Sequence, residues 1–213
     1  MPRTVKRLTA CIAALIVFTV ASSAAANSFK PGFHIGGSIA TLESGQLRYD
    51  NLSALCFGLR ANREISRFVD YQFELNFVRK GAETDIYTIV NKTEVASAEG
   101  SLKLDYLEIP LMLKAGPNLT SSFNPSVLAG LYLAWNLDKE ISYDSDFSDP
   151  LEEIDVATSD FGLIVGAALD FTVKGREAGL EIRYSRGIKK PIDRSIGESV
   201  LNSVMSFVIY ITP

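Results

Sequence analysis

The sequence predicts an all-β fold: an eight-stranded antiparallel up-and-down transmembrane β-barrel that follows a cleavable N-terminal signal peptide. About eight segments alternate apolar and polar residues with a period of two, which is typical of strands whose faces meet different surroundings. Short connections alternate with longer ones, as in outer-membrane barrels. The polar positions are rich in Gly, Ala and Ser as well as in charged residues, which suits a narrow lumen. The chain has 213 residues, enough for one domain.

The first 26 residues have the pattern of a secretory signal peptide. Basic residues lie at positions 3, 6 and 7, an apolar run follows at 8–20, and three alanines end at position 26. The run is shorter than the roughly 20 residues that a membrane-spanning helix needs, which argues against an anchor. We therefore predict cleavage before Asn27 and a barrel domain over residues 27–213.

The predicted strands are placed by their alternating segments. They cover about 33–40, 55–61, 71–78, 107–115, 127–137, 161–171, 180–185 and 202–211. Tight turns are predicted at 62–66, 116–125 and 173–176. Longer polar connections are predicted at 43–51, 81–101, 138–159 and 187–198.

The fourth predicted strand shows the clearest separation of faces. Leu107, Leu111 and Leu113 lie on one side, while Glu108 and Lys114 lie on the other. We interpret the aliphatic side as lipid-facing and the charged side as lumenal. A soluble lipocalin-like binding barrel, with the same pattern turned inside out, is the alternative. Pro110, which has no N–H for the ladder, predicts a local irregularity or bulge in this strand.

Seven ionisable side chains are predicted to point into the barrel as a charge network. They are Arg60, Glu74, Glu108, Lys114, Asp170, Glu181 and Arg183. An unpaired charge in a confined interior is costly, so opposite charges are expected to pair and to fill the lumen as a plug. A narrow channel for small solutes is the alternative, although eight strands usually leave room only for side chains.

The residues give little support for catalysis or for a cofactor. His34 is the single histidine, which excludes a multi-histidine metal site. A lipid-modifying outer-membrane enzyme that uses His34 as its base is an alternative, but Ser38 lies too far along the strand for direct contact. We therefore predict a protein that is not an enzyme and has no catalytic residues, resident metal or cofactor. After cleavage Cys56 is the single cysteine, so no internal disulfide is expected.

The connection after the fifth strand is acidic. It contains Asp144, Asp146, Asp149, Glu152 and Glu153. Calcium takes six to eight oxygen ligands, so this loop is a candidate for weak cation binding, with a solvated acidic loop as the simpler interpretation. In the predicted topology the loop faces outward, where a bound cation could bridge it to lipopolysaccharide phosphates.

Several motifs occur in an order that resembles a known family. They are 33–37 (FHIGG), 73–75 (FEL) with 80–81 (KG), 105–111 (DYLEIPL), 160–163 (DFGL) with Gly166, and 183–187 (RYSRG). With these motifs the chain resembles the PorT-type outer-membrane β-barrel family. The resemblance implies an eight-stranded barrel and, from one member, an association with protein secretion. Such barrels usually end on an aromatic residue, whereas this chain ends on Pro213.

Together these features predict a protein of the bacterial outer membrane with a structural or interaction role in the cell envelope, in possible association with protein secretion. Expected partners are outer-membrane lipids, lipopolysaccharide and envelope or secretion-system proteins. The net charge of -4 argues against nucleic acid. We expect a monomer.

Overall fold

Eight antiparallel strands make up the structure, a computed structural model that describes residues 29–43, 50–90, 94–117, 123–143, 157–188 and 201–212. They are β1 (Lys30–Glu43), β2 (Leu52–Ser66), β3 (Val69–Val90), β4 (Glu94–Ala115), β5 (Phe123–Tyr143), β6 (Ser159–Val173), β7 (Arg176–Gly187) and β8 (Leu201–Thr212). The described ranges contain no helix with the length and apolar character to cross a membrane.

The strands form a closed barrel in which each one pairs with its neighbours in sequence. The barrel closes where β1 pairs with β8, for example at Phe33↔Ile211 and Ser38↔Ser206. Closure gives the backbone of every strand partners on both sides within the bilayer, where water is not available to replace them. The predicted fold class is confirmed.

The faces of the barrel point as predicted. The lipid-side residues Leu111 and Leu131 are 53% and 46% exposed, while Glu108 and Lys114 are only 5% and 4% exposed. An apolar exterior around a charged interior is the reverse of a soluble barrel. The lipocalin-like alternative is therefore wrong.

Both described chain ends and the short turns lie at one end of the barrel. Lys30 pairs with Asn62 near the β2–β3 turn, and Glu177 pairs with Thr212 beside the β6–β7 turn. Short turns mark the periplasmic side of outer-membrane barrels. The long extensions, in which the N-terminal part of β4 pairs with the C-terminal parts of β3 and β5, therefore lie on the extracellular side.

Some predicted turns and loops are wrong because strands continue beyond the bilayer. The segment 62–66, predicted as a turn, belongs to β2, and the turn lies at Arg67 and Phe68. Most of 81–101 is an extension of β3 and β4, and β5 runs on to Tyr143. Outside lipid both faces of a strand meet water, so the alternation that marks a strand in the sequence disappears. Gly81 lies at the end of the alternating part of β3. Its φ is 134°, a conformation that favours glycine.

Pro110 interrupts a ladder without shifting it. The β3–β4 pairing keeps one register on both sides, at Phe73↔Leu111 and Asn76↔Glu108, and the two intervening pairs are missing from the ladder. The register shift in β4 lies instead between Asp105 and Tyr106, where β4 pairs with β5. The expected irregularity is present, but a bulge at Pro110 is not.

Candidate functional site

The seven predicted interior residues all point into the lumen, where they separate into three groups. The central cluster is Arg60, Glu74, Glu181 and Arg183. The inner pair, on the periplasmic side, is Lys114 with Asp170. Glu108 belongs to an outer cluster with Lys80 and Asp160, two residues that were not among those seven. Of these nine side chains, Asp170, at 18% exposed, is the most accessible.

Strand register and alternation build the central cluster. Arg60 of β2 lies directly opposite Glu74 of β3, and Glu181 and Arg183 follow each other on the lumenal face of β7. Arg183 donates from its two terminal nitrogens to the two oxygens of Glu74, each at 2.7 Å. Its Nε donates to Glu181 Oε2 at 2.7 Å, and Arg60 Nη2 donates to Glu181 Oε1 at 2.9 Å.

Neutral side chains add hydrogen bonds to the Glu74 carboxylate of this cluster. Gln72 Nε2 donates to Glu74 Oε1 at 2.8 Å, and Asn76 Nδ2 donates to Glu74 Oε2 at 2.9 Å. The Arg60 guanidinium lies 3.6 Å from the centre of the Tyr210 ring. Each of the two cations is thus paired with a carboxylate, while Arg60 Nε and Nη1 have no hydrogen-bond partner among the described residues. Pairing of this kind is what makes burial of charge tolerable.

The inner pair closes the periplasmic side of the lumen. Lys114 Nζ lies 2.5 Å from Asp170 Oδ1 and donates to the Tyr210 hydroxyl at 3.1 Å. The Tyr210 hydroxyl in turn donates to Asp170. Below these groups an open cavity of about 660 Å³, here called the vestibule, faces the periplasm and is lined by Asn62, Asp70 and other polar residues.

The outer cluster sets one ammonium against two carboxylates. Lys80 Nζ lies 2.7 Å from Glu108 Oε2 and 3.1 Å from Asp160 Oδ2. The Tyr132 hydroxyl and Asn202 Nδ2 also donate to Asp160 Oδ2, at 3.0 and 3.1 Å. Lys80 Nζ lies 3.9 Å from the centre of the Tyr132 ring.

Alternation could have identified two of the missed residues. Lys80 continues the lumenal series 72, 74, 76 and 78 on β3, and Asp160 precedes the lumenal Gly162 on β6. Both lie just outside the predicted strands, which cover 71–78 and 161–171, so neither was among the predicted lumenal residues.

Buried side chains of the three groups fill the lumen of the described barrel. Between the central and outer clusters is a small cavity of about 20 Å³, with His34, Asn76, Glu108 and Arg183 in its lining. That volume is close to the space of one water molecule.

His34 and Ser38 do not form a catalytic pair. Both are buried in the lumen, and four residues of a strand separate them by about 13 Å. His34 Nδ1 lies 3.9 Å from Glu74 Oε1, and Ser38 Oγ donates to the carbonyl of Ala54 at 3.4 Å.

The predicted cation-binding loop lies outside the described residues. This applies to all five of its candidate ligands, which are Asp144, Asp146, Asp149, Glu152 and Glu153. Within the described ranges, no three His, Cys, Asp or Glu side chains form a group that could hold a metal ion.

Comparison with known sequences decides the family. The profile of the outer membrane protein beta-barrel domain family matches residues 18–193. The chain belongs to this family. It is a protein of the bacterial outer membrane, as its sequence predicts. No curated protein matches the sequence.

Three solved structures are similar to this chain at low sequence identity. Neisserial surface protein A is 14% identical, with 86% of this chain and 97% of that chain covered and a TM-score of 0.48. OprG from Pseudomonas aeruginosa is 14% identical, with coverage of 87% and 95% and a TM-score of 0.45. Ail of Yersinia pestis is 12% identical, with coverage of 86% and 98% and a TM-score of 0.40. At these identities no residue role is transferred to this chain.

Proposed function

We propose that this protein is a non-conducting, non-enzymatic membrane anchor with a structural or interaction role in the cell envelope. The observation that carries the proposal is the central cluster, in which Arg60, Glu74, Glu181 and Arg183 join across the lumen. Solute transport would require these paired charges to separate, and breaking a buried pair costs about 3–5 kcal/mol.

The proposal against catalysis rests on the lumenal polar groups. His34 approaches Glu74 rather than a nucleophile, and Ser38 bonds to backbone. A serine nucleophile needs its base within hydrogen-bond reach, so this pair does not support lipid hydrolysis. Equal lipid A profiles from cells carrying the wild type and His34→Ala would agree with this proposal.

For partners, we propose outer-membrane lipids with lipopolysaccharide, together with envelope or secretion-system proteins. The outer surface supports the lipid part. Above Phe77 and Leu107, Arg79 donates two hydrogen bonds to Asp105, at 2.6 and 3.0 Å, on the lipid-facing side. Its side chain is 35% exposed and lies toward the extracellular end of the barrel, the side on which lipopolysaccharide is found. The secretion role rests on the family resemblance of the sequence motifs.

Planar-bilayer conductance tests the proposal. The purified protein is expected to give no stepwise current in potassium chloride, because the central cluster fills the lumen. A variant with Arg60→Ala and Arg183→Ala is the matched comparison, since it removes the two largest cationic side chains of the plug. Regular current steps from the wild type would instead establish the narrow channel.

For the secretion role, deletion of the gene should reduce the amount of exported protein in the medium.

A further inference from the structure

The β2–β3 wall of the vestibule carries two adjacent carboxylates. Glu64 of β2 lies directly opposite Asp70 of β3, and both side chains line the vestibule. In such a pair the Cβ atoms are about 4.5–5.5 Å apart, and like charges directly opposite each other are destabilising. Neither carboxylate has a hydrogen bond or an ion pair among the described residues. This wall therefore has a local negative charge that a cationic group would compensate.

Within the described ranges, four cationic side chains also line the vestibule. Lys114 Nζ lies 2.5 Å from Asp170 Oδ1, and Lys30 Nζ lies 3.6 Å from Glu177 Oε2. The other two are arginines at exposed positions of the short turns, 67 and 176. Both lysines are thus paired with carboxylates on other walls of the vestibule.

Deeper on the β2–β3 wall, two amide oxygens lack a donor. Asn62 lies directly opposite Gln72, one step inward from the two carboxylates. Asn62 Oδ1 and Gln72 Oε1 are buried and have no hydrogen-bond partner in the part of the chain that the structure describes. The two residues are 5% and 0% exposed, and Asn62 lines the vestibule. Buried acceptors without donors normally mark a bound water or ligand.

These acceptors define the chemistry of the ligand. A primary ammonium group carries one positive charge and three N–H donors, and it has no acceptor. Glu64, Asp70 and Asn62 offer three acceptor groups close together, since successive lumenal residues of a strand are only about 7 Å apart. A metal ion is not favoured, because no group of His, Cys, Asp or Glu side chains in the described ranges could hold one. The volume of about 660 Å³ leaves room for the carbon chain that carries the ammonium group.

We propose that the vestibule binds a primary aliphatic amine from the periplasm, with its ammonium group held by the carboxylates of Glu64 and Asp70 and by the side-chain oxygen of Asn62. The carbon chain of the ligand extends through the open mouth of the vestibule. The amine is either a free diamine or the lysine side chain of a periplasmic polypeptide. This site is independent of the role that the protein has in the envelope.

A chemical-shift titration of the isotope-labelled protein in a zwitterionic detergent tests the site. At neutral pH and constant ionic strength, cadaverine is expected to shift the backbone amide signals of Asn62, Glu64 and Asp70 until they saturate. Tetramethylammonium chloride is the matched probe, because it is cationic but has no N–H donor, and it should shift these signals little. Equal shifts from the two cations, or shifts from cadaverine that do not saturate, would overturn the proposal.

A double variant with Glu64→Gln and Asp70→Asn removes both charges at nearly constant size. It should bind cadaverine at least about tenfold more weakly, because two charge-assisted hydrogen bonds are lost. Both positions lie at the open end of the barrel, and relief of the like-charge pair should keep the urea midpoint at or above the wild-type value. Unchanged cadaverine affinity in the folded double variant would contradict the site.

Glu140→Gln is the control for the loss of negative charge. Glu140 lies near the extracellular end of β5, where its half-exposed side chain is 3.8 Å from Lys103 Nζ. This variant should bind cadaverine as the wild type does. If it weakened binding as much as the double variant, the effect would come from net charge and the proposed site would be wrong.

A lysine peptide distinguishes the two sources of the amine. The acetylated and amidated peptide Gly-Lys-Gly is titrated beside cadaverine, with norleucine in place of lysine as its control. Tighter binding of the lysine peptide than of cadaverine would assign the site to a polypeptide, and the reverse order would assign it to a free diamine. Equal binding of the lysine and norleucine peptides would refute recognition of the ammonium group.

Discussion

Arg183→Met is expected to be among the most destabilising single changes in the lumen. Arg183 donates to both oxygens of Glu74 and also to Glu181, and all three side chains are buried. After the change, Arg60 still lies 2.9 Å from Glu181, so the loss falls mainly on Glu74. A buried carboxylate that loses its partner costs about 3–5 kcal/mol, and we expect the free energy of unfolding to fall by this amount.

Urea unfolding of the barrel in detergent measures this loss. Trp135 is the single tryptophan and is 43% exposed on the lipid side, so its fluorescence reports the transfer to water. With a slope of about 2 kcal/mol per molar urea, the midpoint should fall by about 1.5–2.5 M. Arg176→Met is the control, because Arg176 is on the same strand but exposed. This change should shift the urea midpoint little.

A second substitution, at the partner residue Glu74, tests why the free energy of unfolding falls. Adding Glu74→Gln to Arg183→Met removes the unpaired carboxylate, so the double variant should be more stable than Arg183→Met. If Arg183→Met lost less than about 1 kcal/mol, the central cluster would not be a stabilising plug and the reasoning would be refuted.

Three further changes test other parts of the barrel. Tyr210→Phe keeps the ring that Arg60 contacts but removes a buried hydroxyl, so the same urea assay should show a loss of about 1–3 kcal/mol; an unchanged midpoint would mean that the hydroxyl bonds add nothing. Leu131→Arg places a charge in the middle of the lipid-facing surface and should cost about 2–4 kcal/mol, whereas a wild-type value would disprove lipid contact there. Gly81→Val forces a branched side chain to φ 134° and should cost about 1–3 kcal/mol, while Gly37→Val meets open space; equal losses from the two would argue against strain at Gly81.

Several features of the protein are determined by local sequence. The alternation of Leu107, Leu111 and Leu113 with Glu108 and Lys114 predicts a strand, its lipid face and its lumenal face, and the structure agrees. Alternation predicts the two faces because a strand has a fixed period of two, and because the bilayer and the lumen select opposite residue types. Where the strands leave the bilayer, both faces meet water and the pattern weakens, which is why the β3–β4 extension was predicted as a polar connection.

The partners of the lumenal charges were decided only by the tertiary structure. Arg60 and Glu181 are 121 positions apart, yet their side chains bond at 2.9 Å. Such contacts depend on the stagger and tilt with which eight strands close, and one residue of shift would reverse the face of every side chain. The same closure places the ammonium of Lys80 between the carboxylates of Glu108 and Asp160. Alternation tells which side chains enter the lumen, whereas their pairing is set by the geometry of the whole ring.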